Sequence, residues 1–421
     1  MKNILKYILI FIVIIIFFVI SLTIVAVIPT QAIKQNVAKS ATILSNEKEY
    51  YTRQYIDRII LYDNYADAIM INNAFSMDPG EPLYSALVVR RNYIPGVTIE
   101  ILPEETGDPT RLIYETDNLK NIVEGDRIIA KQYAKYWHGY LVFLKPLLIL
   151  FDYGQIRILQ LVLLIILTSI FIYLIYKKIG LIQAIIFLLG LITVDIQYIY
   201  MSLENTPVFI LMLCSSIIFL LKYEKIKDKG IFFFVIGMLT CFIDFLTVPI
   251  ITLGIPMLIY FLLFQKERKI TIKETILVII KNSILWLLGY SLTWITKFIL
   301  VDVLYDKKLM QTAIKQIGHR TFDGTSEFKI DLKEMFCKNI GNGNVLVFTV
   351  FCIIRIIVNI CSEIKNKTKK VNKENKKINI VQIIPYIIIA LMPIAWYMVL
   401  QEHSARHAIF TYRGLMITYI G

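Results

Sequence analysis

The sequence lacks the glycine-rich loops that hold nucleotide phosphates. It contains neither the G-x-x-x-x-G-K-[ST] pattern of P-loop proteins nor the G-x-G-x-x-G pattern of dinucleotide-binding proteins. These absences argue against an ATPase subunit and against a dinucleotide-dependent enzyme. The short run 341-GNGN-344 is typical of a turn instead.

Cysteine and histidine are both scarce. The five cysteines are not spaced as a metal knuckle or as a disulfide framework. Two of the four histidines, His403 and His407, have the i,i+4 spacing of zinc ligands on a helix. No glutamate lies between them, which argues against a zinc protease.

Apolar residues dominate what the sequence does contain. The 421 residues are 57% hydrophobic and have a mean hydropathy of +0.63. Several apolar runs reach about 20 residues, the length that spans a bilayer core. We therefore predict an all-α polytopic membrane protein with about 9–10 transmembrane helices. The net charge of +13 lies largely in short Lys-rich loops beside these runs, a distribution typical of cytoplasmic loops and not of nucleic-acid binding.

The apolar runs and the loops between them predict the topology. The predicted spans lie near 1–27, 156–176, 181–200, 206–222, 230–247, 249–264, 275–297, 344–361 and 380–400. The resulting division is a first transmembrane helix (1–28), an extracytoplasmic loop with interfacial helices (29–155), helices 2–7 (156–302), a second extracytoplasmic loop (303–343), and helices 8–9 with a partial last helix (344–421). The Lys-rich loops place the N-terminus in the cytoplasm of a multi-pass plasma-membrane protein. The large first loop is too long and too aromatic for a disordered linker, so we expect it to be structured.

A helical bundle with one large outer loop between its first two spans resembles the GT-C superfamily of membrane glycosyltransferases. The patterns 62-YDNYADAIMIN-72, 136-YWHGYLVFLKPLL-148, 243-IDFLTVP-249 and 396-WYMVLQEHSARHAIFTYRG-414 look like those of members that assemble bacterial polysaccharides. The resemblance implies a catalytic acid in the first outer loop. It also implies a polyprenyl-phosphate sugar donor held in the outer leaflet.

Two carboxylates in the first outer loop are candidates for the catalytic acid. Asp63 and Asp67 are four residues apart, so on a helix they would share one face. We predict that Asp63 takes the proton of the acceptor hydroxyl. Asp67 would orient the Asp63 carboxylate or help to hold a divalent metal. The alternative is that Asp63 is the N-cap of a helix.

An aromatic cluster precedes the second predicted span. Trp137 or Tyr140 is predicted to stack on the sugar, with His138 donating a hydrogen bond and Gly139 permitting close backbone approach. The alternative is an aromatic belt at the membrane interface.

Ionisable residues in or beside the spans fall at one depth under the predicted topology. They are Arg157, Asp195, Glu204, Asp244 and Lys297. Charges inside a membrane are costly, so this grouping favours a polar cavity that opens outward. We predict that Asp244 contacts the sugar or acceptor and that Lys297 contacts the donor phosphate. The alternative is an Asp244–Lys297 ion pair that fixes helix packing.

The segment 403–413 gathers four cationic residues. If it is helical at 100° per residue, His403, Arg406, His407 and Arg413 lie within about 120° of one another. Arginine binds phosphate in a bidentate manner and histidine can donate a proton, so this face is predicted to bind the donor phosphate. The alternative is a basic belt that contacts anionic lipid headgroups.

Together these features predict a glycosyltransferase. It would move a sugar from a polyprenyl-phosphate donor to an extracytoplasmic glycan, lipid or protein by inverting displacement. Its partners would be membrane lipids and a cell-surface acceptor, with no nucleic acid. The sequence identifies no cofactor and leaves open whether the reaction needs a divalent metal. The alternatives are a flippase or transporter for lipid-linked glycans, which would favour an internal repeat that is not visible here, and a polymerase or ligase. A non-enzymatic scaffold is a third alternative.

Overall fold

The computed structural model describes most of the chain. The described residues are 2–55, 58–95, 98–99, 112–125, 128–267, 271–311, 314, 331–343, 353 and 380–421. The predicted span 344–361 lies outside them except at Ile353, and the Lys-rich loop 362–377 lies outside them entirely.

The described chain is mostly helical. The first six helices are α1 (Lys2–Ala26), α2 (Thr30–Glu47), α3 (Asn64–Phe75), α4 (Pro82–Val88), α5 (Glu115–Glu124) and α6 (Leu141–Leu150). Those that follow are α7 (Tyr153–Lys178), α8 (Leu181–Thr193), α9 (Ile196–Ile199), α10 (Thr206–Lys222), α11 (Lys229–Ile243), α12 (Ile251–Glu267) and α13 (Ile272–Tyr305). The last are α14 (Leu332–Asn342), α15 (Ile380–Ala390), α16 (Met392–Val399), α17 (Gln401–Arg406), α18 (Ala408–Thr411), a 3₁₀ turn (Tyr412–Leu415) and α19 (Met416–Ile420).

Short strands occur in the segment between α2 and α6, where only helices were expected. They are β1 (Tyr50–Tyr55), β2 (Arg58–Asp63), β3 (Arg90–Tyr93), β4 (Thr98–Ile99), β5 (Leu112–Ile113) and β6 (Ile129–Gln132). The pairs β1–β2 and β3–β6 are antiparallel, and β4–β5 is parallel. The described first loop is therefore a mixed helical and stranded unit.

Four helical segments among the described residues are long and apolar enough to cross a membrane. They are Ile4–Ala26, Tyr153–Lys178, Ile272–Tyr305 and Val381–Val399. Their apolar side chains are widely exposed: Phe17 in α1 is 60% exposed and Ile158 in α7 is 61% exposed. A helix whose apolar surface is left uncovered by protein suits contact with lipid chains. These findings describe a mostly helical membrane protein.

Two glycines allow a close contact between α11 and α13. A Cβ added at Gly237 would lie 2.0 Å from the carbonyl oxygen of Trp286, and one added at Gly289 would lie 2.1 Å from that of Phe234. Small residues let membrane helices approach until their backbones touch. Next to this pair, α12 is buried on nearly every side and forms the centre of the bundle.

Several predicted spans differ from the observed helices; those near 230–247 and 380–400 give a helix that ends at Ile243 and a pair of helices, Ile380–Ala390 and Met392–Val399. The span predicted near 181–200 is too long, since α8 ends at Thr193. Asp195 adopts a left-handed conformation (φ 64°, ψ 38°), which is incompatible with a continuous right-handed helix. The prediction near 275–297 is extended at its end, since α13 continues to Tyr305. These last two differences bring the 195–205 turn and the end of α13 to the side of the bundle that carries the first loop.

Candidate functional site

A narrow cleft lies where the first loop meets the bundle and the C-terminal segment. Its walls are formed by Tyr62, Asp63, Tyr198, Ile199, Ser202, Asn205, Ile409, Phe410 and Arg413. The cleft has room for about one water molecule in this conformation. Its walls include Asp63, the predicted general base, and Arg413, a predicted ligand of the donor phosphate.

Asp63 is the last residue of β2 and the N-cap of α3. Its carboxylate accepts a hydrogen bond from the backbone N–H of Ala66 at 3.1 Å, so the alternative assignment as a helix cap is confirmed. Its side chain is nevertheless only half-buried and lines the cleft. Burial among protein atoms raises the pKa of Asp63 to about 6, while hydrogen bonds from backbone N–H groups oppose this.

Asp67, one turn further along α3, faces the interior and does not line the cleft. Its carboxylate accepts hydrogen bonds from the Tyr153 hydroxyl at 2.5 Å and from the Leu203 backbone N–H at 2.9 and 3.0 Å. The Glu204 backbone N–H adds a fourth at 3.2 Å. Asp67 thereby fastens the turn 201–205, which supplies Ser202 and Asn205 to the cleft, onto the helix that Asp63 caps. Burial raises its pKa to about 7.

Arg157 supports the same arrangement from α7. Its guanidinium donates to the Tyr153 hydroxyl at 2.6 Å, to the Asn64 amide oxygen at 3.1 Å and to the Met201 carbonyl at 3.0 Å. It also forms an ion pair with Glu47 at 2.8 Å. The sequence marked Arg157 as a membrane-border charge but gave no sign of Asn64 or Tyr153, whose partners are distant in the chain.

Arg413 forms the basic side of the cleft. Its side chain is 6% exposed, and one terminal nitrogen donates to the Asn205 amide oxygen at 3.2 Å. Its guanidinium also lies 5.0 Å from the centre of the Tyr412 ring. Nε of Arg413 has no hydrogen-bond partner among the described residues. Arg413 thus brings a buried guanidinium with one unpaired N–H group to the wall of the cleft.

The predicted cationic face over 403–413 does not form, because the segment is not one helix. α17 ends at Arg406, His407 is non-helical (φ −108°, ψ 32°), and a short α18 and a 3₁₀ turn follow. The chain turns here because its polar side chains bind other elements: His403 pairs with the Leu246 carbonyl at 2.7 Å, and the Tyr412 hydroxyl donates to Asp195 at 2.6 Å.

The remaining cationic residues of that segment are placed apart from Arg413. Arg406 is exposed and forms an ion pair with Glu402 at 3.0 Å. His403 is buried, and its ring centre lies 4.8 Å from that of the exposed His407, which stacks on Phe410 at 5.2 Å. None of the three lines the cleft, although His407 stacks on Phe410, which does.

Glu204 brings a further carboxyl group close to the cleft. It lies in the turn between Ser202 and Asn205, is 9% exposed, and its Oε2 has no hydrogen-bond partner among the described residues. Burial, and then the charges of Asp63 and Asp67, raise the pKa of Glu204 well above its ordinary value. Asp63, not Glu204, is the carboxyl group that lines the cleft.

The aromatic residues predicted to bind sugar lie in the protein interior. Trp137 is 1% exposed, packs against Phe18 and Phe242, and donates its indole N–H to the Thr293 carbonyl at 2.8 Å. His138 and Tyr140 are equally buried and do not line the cleft. Their rings fill space between the first loop and α11, so no face of them is open to a ligand.

Gly139 does permit a close backbone approach, but to protein. Its N–H donates to the Phe242 carbonyl at 2.8 Å, and an added Cβ would lie 2.4 Å from the Phe242 ring. The glycine is therefore accounted for by the contact between the first loop and α11.

Asp244 and Lys297 do not form the ion pair considered as an alternative. Asp244 follows the end of α11 and accepts hydrogen bonds from the hydroxyl and backbone N–H of Thr247. Lys297 is 1% exposed, lies 5.3 Å from the centre of the Trp137 ring, and has no hydrogen-bond partner for Nζ among the described residues. Neither residue lines the cleft.

Within the part of the chain that the structure describes, no group of three or more His, Cys, Asp or Glu side chains is arranged to hold a metal ion. The polar side chains that line the cleft are the Asp63 carboxylate, the Asn205 amide, the Arg413 guanidinium and the hydroxyls of Tyr62, Tyr198 and Ser202.

Comparisons with known proteins add no assignment: no protein-family model, curated protein or solved structure matches this chain.

Proposed function

We propose that this protein is a membrane glycosyltransferase of the GT-C type, which transfers a sugar from a polyprenyl-phosphate donor to an extracytoplasmic acceptor. One observation carries the proposal: Asp63 and Arg413 line the same cleft at the loop-bearing end of the bundle. A carboxylate and a guanidinium that face the same narrow space suit such a transfer. The carboxylate can accept the proton of the acceptor hydroxyl, and the guanidinium can stabilise the anion that leaves.

Asp63 acts as the general base. As the acceptor hydroxyl oxygen attacks the anomeric carbon, its proton passes to the Asp63 carboxylate. With a pKa raised to about 6, the carboxyl is still mostly ionised at neutral pH and is more basic than an ordinary aspartate. Its cap hydrogen bond to Ala66 fixes its position at the start of α3.

Arg413 stabilises the leaving group. The bond between the anomeric carbon and the phosphate oxygen breaks, and its electron pair leaves with the polyprenyl phosphate. A buried guanidinium is a strong stabiliser of that developing charge because little water screens it. Asn205 holds Arg413 through the hydrogen bond at 3.2 Å. Attack and departure on opposite faces of the sugar give inversion.

Asp67 has a positioning role in this scheme. It binds the turn 201–205 through backbone N–H groups and so places Asn205 opposite Asp63. The cleft is too narrow for a sugar phosphate in this conformation, so the proposed reaction requires its walls at 198–205 and 409–413 to separate.

The test is transfer of radiolabelled sugar from a panel of polyprenyl-phosphate sugars by the purified full-length protein in lipid nanodiscs. We expect labelled acceptor to accumulate and free polyprenyl phosphate to be released in equal amount. Movement of lipid-linked sugar across vesicle membranes without any transfer would replace the proposal with a flippase.

A further inference from the structure

A second recess, separate from the cleft, lies where the first loop meets the end of α13. We call it the tyrosine groove; its walls are Glu81, Pro82, Leu83, Tyr84, Tyr305 and Lys307. Its volume of about 490 Å³ falls within the range of roughly 300–1,000 Å³ that small-molecule sites occupy. Unlike the cleft, it is open and wide enough for a ligand as it stands.

Two tyrosines form the apolar surface of the groove. The rings of Tyr84 and Tyr305 meet edge to face, with centres 4.9 Å apart at 84°. Leu83 beside them is 39% exposed. Tyrosine combines an apolar ring face with a hydroxyl that forms hydrogen bonds. Such a surface matches a pyranose, which has apolar C–H faces and a rim of hydroxyl groups.

The charges around the rings cancel. Arg90 lies 4.8 Å from the centre of the Tyr84 ring and forms ion pairs with Glu81 and Asp78. Lys307 approaches the same ring at 5.8 Å. Two carboxylates and two cations leave no net charge, so the groove offers donors and acceptors of hydrogen bonds without selecting an ion.

The walls of the groove are held in place before any ligand binds. The Asp302 carboxylate accepts hydrogen bonds from the backbone N–H groups of Leu309 at 2.5 Å and Met310 at 3.0 Å. These bonds close a turn in which Asp306 (φ 48°) and Lys308 (φ 52°) are left-handed. Residues other than glycine adopt that conformation at a cost, which tertiary contacts must offset. The turn aims Tyr305 and Lys307 at Tyr84.

α3 connects the groove to the cleft. Asp63 caps its start, and Ser76 at its end donates to the carbonyl oxygen of Arg90, the residue that packs on Tyr84. The helix has 12 residues, which span about 18 Å at 1.5 Å per residue. The two sites therefore lie about one helix length apart, a distance that an extended oligosaccharide of several units spans.

We propose that the tyrosine groove binds a neutral oligosaccharide. Its role as the holder of the distal part of the acceptor rests on the proposed transferase function, whereas the binding itself does not. The rival occupant is a phospholipid headgroup, because α13 is one of the membrane-crossing candidates.

The test measures binding directly, by saturation-transfer NMR on the full-length protein in nanodiscs. The probes are neutral tetrasaccharides of glucose, galactose, mannose and N-acetylglucosamine, with tetragalacturonate as the anionic counterpart. We expect at least one neutral probe to bind more tightly than tetragalacturonate. Tyr84→Ala should weaken that binding about tenfold, and Lys307→Gln, an exposed change that spares the fold, should weaken it severalfold.

The matched control is Tyr114→Ala, another exposed tyrosine of the first loop, which should bind as wild type does. The proposal is overturned if no neutral probe binds, if tetragalacturonate is preferred, or if Tyr84→Ala and Lys307→Gln bind normally. Loss of a co-purified phospholipid from Tyr84→Ala without any saccharide binding would assign the groove to lipid.

The two proposals fail in different ways. Asp63→Asn should retain saccharide binding while losing transfer. If wild type binds the tetrasaccharide but transfers no sugar from any donor, the transferase proposal falls and the groove stands. If Tyr84→Ala transfers normally to a long acceptor, the groove has no part in acceptor binding.

Discussion

Asp63 and Arg413 lie near opposite ends of the chain, yet they line one cleft at the loop-bearing end of the helical bundle. Asp63 reaches it because the strand β2 ends there and α3 begins. Arg413 reaches it because the C-terminal segment breaks at His407 and turns back toward Asn205. The proposed chemistry depends on this relationship.

The basic side of the cleft predicts unequal roles for two arginines. Arg413→Gln should lower kcat for sugar transfer by about 10²–10³-fold, since it removes a buried charge that faces the leaving phosphate. Arg406→Gln is the matched control, because Arg406 is exposed, pairs with Glu402 and does not line the cleft. Its kcat should stay within about twofold of wild type. Equal losses in both variants would favour a general basic belt over a defined phosphate site.

Asp67 predicts a structural penalty. An asparagine at this position keeps one carbonyl oxygen but turns an NH₂ group toward donors such as the Tyr153 hydroxyl and the Leu203 N–H. Asp67→Asn should therefore cost about 1–3 kcal/mol of unfolding free energy and lower transfer through displacement of the 201–205 turn. Thermal unfolding in nanodiscs measures the first effect.

Asp117→Asn is a suitable control for Asp67, since within the described part of the chain Asp117 accepts one hydrogen bond, from Ser45. It should shift the unfolding temperature much less. A fully stable Asp67→Asn variant with normal transfer would remove Asp67 from the positioning role.

The pKa of Asp63 predicts the acid limb of the pH profile. A protonated carboxyl accepts no proton, so activity is lost as the pH falls through the pKa of the folded protein. Because burial raises that pKa to about 6, kcat/KM should fall tenfold per pH unit below about 6. With an ordinary aspartate pKa, kcat/KM would stay constant down to about pH 4. An acid limb near 4 would show that Asp63 is solvated during the reaction.

Much of the helical framework could be predicted from the sequence. The observed α1 and α7 begin and end within a few residues of predicted spans, because each is an uninterrupted apolar run with lysines at one end. Asp63 was also identifiable from its position before an apolar helical stretch.

The meeting of Asp63 with Arg413 could not be predicted, because it depends on tertiary contacts. Helical phasing placed His403, Arg406 and Arg413 on one face. In the structure the helix ends at Arg406, and the His403 ring donates a hydrogen bond to the Leu246 carbonyl, a contact that helical phasing does not reveal. The sequence around Trp137 is typical of an aromatic belt at the membrane interface. In the structure Trp137 is instead buried in the core, where a large ring contributes most to stability.

The glycine contact between α11 and α13 predicts a loss of stability. In Gly237→Ala the new methyl group would overlap the Trp286 carbonyl, so the helices must separate at a cost of about 1–3 kcal/mol. Gly341→Ala is the matched control, because a Cβ there meets nothing within 4 Å. Its thermal midpoint should be unchanged or slightly higher, since alanine favours the helix that contains it. Equal midpoints for Gly237→Ala and wild type would contradict the packing described.

Asp63→Asn tests the central claim most directly, because asparagine caps a helix about as well as aspartate and removes only the base. The control is Asp152→Asn, which makes the same change at the N-cap of α7, outside the cleft. The measurement is the single-turnover rate of transfer from a radiolabelled polyprenyl-phosphate sugar at neutral pH. We predict a loss of about 10²–10⁴-fold for Asp63→Asn, with a wild-type unfolding temperature, and no loss for Asp152→Asn. A normal transfer rate in Asp63→Asn would contradict the account.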